Sequence, residues 1–513
     1  MDGKEKVNEM KKNCRIPCFP SRVLVPSVAV LAVAGCTILP SVGPDYGEPE
    51  FEVPEFAFPD AGLPTANRTP IGEWKPAEGA DDVRVPLATN EICNWWCRFN
   101  DDVLTNLVAS SVSNNLSFLM AQRRLEASRW TLLGSYAAFL PHVSGVASAT
   151  RMQSGPNTGT MWGTGGTMHR DLFAGGFDAT WEIDVFGGSR RANEAAWAEA
   201  EAAGWSVADA WVSLTAEVGR QYIQLRTTQQ RVAVARTNLV LQTETYDILK
   251  SRLDSGIGDE LAVNQSRYVV DQTHATIPPL LAQEEQLLNA LAVLTGDMPG
   301  ARHAELKDCP DRDWLLEPTK VAGAPLDMIR NRPDVRIAER QLAAQVAKVG
   351  VAKAMWYPKL YINGSLGLES VKVQKFLSKD SFYGAIGPSI SWPIFQGGNI
   401  YASVKAEEAR MDEAFLNYDS VLQNAYREVR DNYALYTQEY HRYQALRGAV
   451  KAAQDAVAIS QDLYKNGLRD FTAVIDAQRS LLSLQEALVV SRGQITIDLI
   501  SLYKSLGGGL VVE

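Results

Sequence analysis

Two hydrophobic periods share this chain, one of two residues and one of three to four. Phe177, Ala179, Trp181, Ile183 and Val185 alternate with Asp178, Thr180, Glu182 and Asp184. That alternation predicts a strand with one apolar and one polar face. Leu360, Ile362, Gly364, Leu366 and Leu368 alternate likewise with Tyr361, Asn363, Ser365 and Glu369. A return strand sets Ile386, Ile390 and Trp392 against Ala385, Ser389 and Ser391, and a weaker strand begins at Val143. Elsewhere the period is helical. Met411, Phe415, Tyr418, Leu422, Ala425 and Val429 step by four and three in turn; after one further step of four, Tyr433, Tyr436, Tyr440 and Tyr443 resume it. This is a coiled-coil seam with a stutter that locally unwinds it, and the tyrosines read as a layer of that seam. No proline falls between Gly398 and Asn466 or between Gly188 and Ser255. Each stretch would reach ~100 Å as a continuous helix at ~1.5 Å per residue.

The order of elements occurs twice. "AQRRLEASRW" from Ala121 matches "AERQLAAQVA" from Ala338, and Pro141 matches Pro358, both at an offset of 217. Phe186 and Phe395 then align at 209, and Gly256/Gly467 and Gly296/Gly507 at 211. The excess in the first copy lies between Pro141 and Phe186, where "GTMWGTGGTMHR" predicts a longer hairpin tip. Each long helix should stop at a glycine, Gly256 or Gly467, because glycine accepts the positive φ that ends a helix. Asp259 and Asp470 follow as caps for the returning helices. Asp476 belongs to the second copy alone; its counterpart is Gln265. A second asymmetry is Pro278-Pro279 in the first return helix, where the second copy has Val489-Val490. It predicts a kink or interruption. "RPDV" reads as a structural helix start, with Pro333 and Asp334 in the first turn.

The first 35 residues carry six basic side chains ahead of "VLVPSVAVLAVAG" and then Cys36. This predicts a signal peptide ending in a lipobox-like "VAGC", with Cys36 lipidated. Its removal would take the net charge from −10 to −13, which argues against a nucleic-acid partner. No run of 18 apolar residues exists to span a bilayer as a helix. Prolines crowd residues 37–90, so this stretch reads as an extended arm. "CNWWC" holds Cys93 and Cys97 either as a local disulfide or as two thiols. The five histidines are scattered and "GTGG" has no lysine for a phosphate, so no enzyme, metal site or cofactor is expected beyond the lipid at Cys36. The four alternating strands suit a soluble sheet or a membrane one. Four cannot close a barrel, and open edges are not tolerated in lipid; a membrane sheet would therefore need several chains.

"VGPDY", "WEIDVFGGSRRANEAA", "IPPLLAQEEQLLNALAVLTG", "RPDVRIAERQLAAQ", "YPKLYINGSLG", "PIFQGGN" and "VIDAQRSLL" occur in order over residues 36–507. With them the chain resembles the outer-membrane efflux channels of the TolC/OprM type, in particular the NodT-like lipoprotein branch. The resemblance implies a mainly α fold with membrane β: duplicated long-helix hairpins forming a trimeric α-barrel, and four strands per protomer completing a 12-stranded β-barrel. It divides the chain into a signal peptide (1–35), a lipidated arm (36–90), a first repeat (91–300, hairpin strands about 143–185), an equatorial linker (301–332) and a second repeat (333–513, hairpin strands about 360–394). The implied function is a passive exit duct across the outer membrane with its helical tunnel in the periplasm. The implied partners are a periplasmic adaptor (membrane fusion protein), an inner-membrane pump of the RND type and outer-membrane lipids. Asp476 would form an acidic ring at the periplasmic entrance, joined by Asp470. Thr472 stands where some relatives have a leucine, with Phe471 as the apolar substitute. Gly256, Asp259 and Gly467 would mark the tips where adaptors dock. Two other readings remain at this point: the duct of a type I protein-secretion system, and a non-conducting periplasmic scaffold lipoprotein.

Overall fold

A computed structural model describes residues 41–47, 49, 94–154, 168–308, 314 and 329–509. The signal segment with Cys36, most of the arm, Cys93, Cys309, the glycine-rich loop 155–167 and most of the equatorial linker lie outside the described residues. After a short 3-10 turn (Trp95–Phe99) come α1 (Asp102–Asn114), α2 (Leu116–Ser135), β1 (His142–Ser154), β2 (Met168–Ile183), α3 (Gly188–Asp254) and α4 (Glu260–Leu294). The second half repeats the order with α5 (Pro333–Ala354), β3 (Lys359–Ser370), β4 (Phe382–Ser391), α6 (Asn399–Lys465) and α7 (Phe471–Ser505).

The two copies are close structural equals. α3 and α6 each span 67 residues, α4 and α7 each 35. The excess of the first copy enters in part as longer strands, 13 and 16 residues against 12 and 10. Gly187/Gly398, Gly256/Gly467 and Gly296/Gly507 all take positive φ. The indole of Trp181 donates to the Phe139 carbonyl at 3.0 Å, and that of Trp392 to the Trp356 carbonyl at 3.1 Å. Each acceptor lies two residues before the matched proline, so one hydrogen bond ties the end of the helical segment to β2 in the first copy and to the residue just past β4 in the second. Of the kink or interruption expected at Pro278-Pro279, the interruption does not occur: α4 continues through the pair. Ile277 and Leu280 on either side are buried, and burial of this apolar face outweighs the amide bonds that two prolines forfeit.

The four strands form one antiparallel sheet in the order β1-β2-β3-β4. Register puts Val143, Ala179 and Gly364 in one row with Ile386, and Phe177 in another with Leu366. Ile183, Leu360 and Ile390 share a third. All these side chains lie on one face, while Ser144, Asp178 and Ser365, and Thr180, Asn363 and Gly387, lie on the other. β2 and β3 cross closely at Gly176 and Gly367: a Cβ on Gly176 would stand 2.7 Å from the Gly367 Cα. The expected strand residue Val185 falls just past the end of β2.

The main core sits at the waist, where Trp95, Trp96 and Phe99 wedge between helices. Trp95 stacks on Tyr503 and fills the space beside Gly219, where a Cβ would come within 2.3 Å of the indole. Beneath it Asp101 accepts from Tyr222 Oη at 2.6 Å, from Trp314 Nε1 at 3.0 Å and from the first amides of α1. Burial works to raise the Asp101 carboxyl, yet these four donors hold it below the usual range. Arg226, also buried, donates to the carbonyls of Leu306 (3.0 Å) and Asp308 (2.8 Å), clamping the linker start to α3. Arg332 closes the other end of the linker, donating to Ser505 O at 2.7 Å and pairing with Asp334 and Glu428. Pro333 opens α5 with Asp334 in its first turn, as "RPDV" predicts. Cys97 is disulfide-bonded, to a partner outside the described residues.

Candidate functional site

The tips of the long hairpins hold the acidic and glycine residues singled out above. α3 ends as Gly256 turns to φ 76° and the Ile257 amide donates back to Arg252 O at 3.1 Å. α6 ends in the same way, with Gly467 at φ 72° and Leu468 N on Leu463 O at 2.9 Å. This is the left-handed helix stop that glycine makes possible. Asp259 then caps α4 through Leu261 N at 3.0 Å. Asp470 occupies the same position before α7, but its side chain makes no capping bond, so only the first of the two expected caps forms. The Asp470 carboxylate stays exposed instead.

Beyond Asp470, α7 divides cleanly into two faces. Thr472, Asp476, Arg479 and Ser480 lie exposed on one, with Thr472 and Asp476 a single turn apart. Phe471, Val474 and Ile475 are buried on the other. The structure therefore corrects the expected role of Phe471. Its side chain is 5% exposed and stands edge-on to Tyr464 at 5.1 Å, inside a cluster with Leu249, Ala262, Val263 and Val269. A residue used to join the two hairpins is not presented to an opening. At the position of Thr472 the first copy has Leu261, which is 61% exposed. Sequence reasoning missed this leucine, although the offset of 211 that located Gln265 points to it. Ile257 and Leu468, 72% and 70% exposed, crown the two tips. Beside Ile257 an open recess of about 420 Å³ is lined by Asp247, Ile248, Ser251, Arg252 and Ser255.

At the opposite end, the apolar sheet face carries exposed Val143, Phe177, Leu366, Ile386 and Ile390. The strands' far end bears an Arg151–Asp171 pair at 2.9 Å, and the helix-proximal end a Lys359–Glu182 pair at 3.0 Å. The arm is fixed near this end too. Val42 N donates to Phe186 O at 3.1 Å, Arg191 pairs with Asp45 and Glu194, and Tyr46 Oη donates to Glu339 at 3.2 Å. Gly43 lies against Gly350 so closely that a Cβ would meet its Cα at 2.5 Å. Among the described residues no helix is long and apolar enough to cross a membrane, and no cluster of potential metal ligands occurs.

The model of the family described as "Outer membrane efflux protein" matches residues 107–297 and 325–508. The chain belongs to the outer membrane efflux protein family. It is 29% identical to Nodulation protein T of Rhizobium leguminosarum bv. viciae over 486 residues, covering 95% of this chain and 93% of that protein. It is 27% identical to the toluene efflux pump outer membrane protein TtgF of Pseudomonas putida, covering 93% and 95%. Among solved structures, the outer-membrane channel OprN superposes with a TM-score of 0.79 at 31% identity, covering 91% of this chain and 99% of OprN. The resemblance read from the motifs thus holds. This outer membrane efflux protein has the helical-tunnel and β-strand fold of such channels, and it belongs in the outer membrane. Its family is one of transport ducts rather than enzymes.

Proposed function

We propose that this protein is the exit duct of a tripartite efflux system, a homotrimer that passively conducts cargo handed over by a periplasmic adaptor and an inner-membrane pump of the RND type. The observation that carries this reading is the sheet: one face apolar and exposed, the other polar, with β1 and β4 as its edges and no further strand on either among the described residues. In lipid such edges must pair. Three chains supply twelve strands, an even number of the kind outer-membrane barrels use, with the polar face lining a pore. Cys36 stands five residues before Ser41, and Ser41 lies against Gly187 near the base of the sheet. A lipid on Cys36 would accordingly be tethered at the membrane end.

Asp476 is the gate residue in this reading, with Asp470 beside it and Thr472 one turn away. Three copies around an axis give a ring of carboxylates that favours cations, as charged rings do in other pores. The tips with Gly256, Asp259, Gly467 and the Ile257 recess form the adaptor docking surface. The membrane fraction should contain a detergent-resistant band at the trimer mass that collapses to monomer on boiling. A protein that extracts only as a heat-insensitive monomer would contradict the assembly and favour a scaffold lipoprotein. Replacing Cys36 with Ser should abolish incorporation of a radiolabelled fatty acid; undiminished label would exclude lipidation at that residue.

A further inference from the structure

The seam of α3 toward the tip runs Val232, Ala235, Leu239, Gln242, Tyr246, Leu249 and Leu253, stepping by three and four. One member is polar. Gln242 is 3% exposed, and neither its amide nitrogen nor its amide oxygen has a hydrogen-bond partner among the described residues. The corresponding residue of the second copy, 211 further on, is Ala453. Gln229 bonds Glu284 of α4 at 2.9 Å and Asn238 bonds Gln485 of α7 at 2.8 Å. Antiparallel register carried from these contacts sets Gln242 opposite Val269–Thr273 of α4 and residues 479–483 of α7, and Thr273 is itself buried. Bordering this layer on its tipward side is the apolar cluster of Leu249, Ala262, Val263, Val269, Phe471, Val474 and Ile475, which joins the two hairpins.

A polar residue in a coiled-coil seam lowers stability locally, and a buried amide without partners lowers it further. We propose that the Gln242 layer is a release point: it separates the tip cluster from the main core, so that the cluster can part as a unit and carry Asp476 outward. The inference rests on the duct reading above. The second copy, with Ala453 in place of a buried amide, lacks the weak layer. The first hairpin is therefore the one that loosens, and α7, seated on it through Phe471, Val474 and Ile475, moves with it.

Hydrogen exchange on the full-length protein, with single-channel recording in planar bilayers, tests this with Gln242→Leu and Gln242→Glu. Gln242→Leu completes the apolar seam; amides of 243–270 and 471–478 should exchange roughly tenfold more slowly or less. Gln242→Glu buries a charge and should speed the same amides. Amides at the waist around Tyr222 should be unchanged in both. Openings should become about tenfold rarer in Gln242→Leu at unaltered unitary conductance. Uniform or absent changes in exchange overturn the proposal, as do local changes in exchange with unchanged opening frequency. A wild-type protein that never conducts overturns the duct reading instead.

Discussion

Asp498 is a carboxylate buried in α7, held by Gln494 at 2.7 Å and facing Glu439. Burial is the main cause that pushes its pKa up from 3.8 to about 6, and Glu439 adds to it. The folded state then binds a proton more tightly than the unfolded chain, so stability falls as pH rises from about 4 to about 6. Asp498→Asn should stabilise the protein at pH 7 by on the order of 1–3 kcal/mol, and the gain should vanish below about pH 4. Thermal denaturation at both pH values checks this; an equal gain at both would show that charge is not the cause. Roles of single residues were legible unevenly. Glycine stops and the Asp259 cap follow from local backbone chemistry, so the sequence carries them. Phe471 and Asp470 depend on which side of α7 meets the other hairpin. That is set by tertiary contacts with Leu249 and Ala262, which no spacing within α7 encodes.

Among elements, the hairpins and long helices were readable because their periods persist over many residues and occur twice. Strand ends and the course of α4 through its prolines were not, since both depend on what the neighbouring elements bury. The bond from Trp181 to Phe139 and its copy from Trp392 to Trp356 join residues more than thirty apart. Only the superposition of the two offsets makes them visible. The sheet has one point of least tolerance, the β2–β3 crossing. Gly176→Val would drive its side chain against Leu366 O and Gly367 Cα, 2.4 and 2.7 Å from the first added carbon. β2 must then separate from β3, and the detergent-resistant assembly should be lost while helical circular dichroism is largely retained. A resistant band of wild-type intensity would mean that the crossing can relax.

For the molecule as a whole, three features converge on a duct: two copies of one hairpin unit, a sheet whose edges β1 and β4 meet no further strand among the described residues, and membership of the outer membrane efflux protein family. The duplication supplies two non-identical tips per chain. One bears Leu261 and Gln265, the other Thr472 and Asp476, so three chains would present alternating apolar and acidic positions around the entrance. We propose that cargo passes through this entrance and that Asp476 governs it. Ion selectivity of the purified protein in planar bilayers, wild type against Asp476→Ala, tests it most directly. A small, cation-preferring conductance is expected in the wild type, and a larger or unselective one in the variant. A conducting wild type whose selectivity and amplitude are unchanged by Asp476→Ala would contradict the gate; a well-folded trimer that never conducts would contradict the duct.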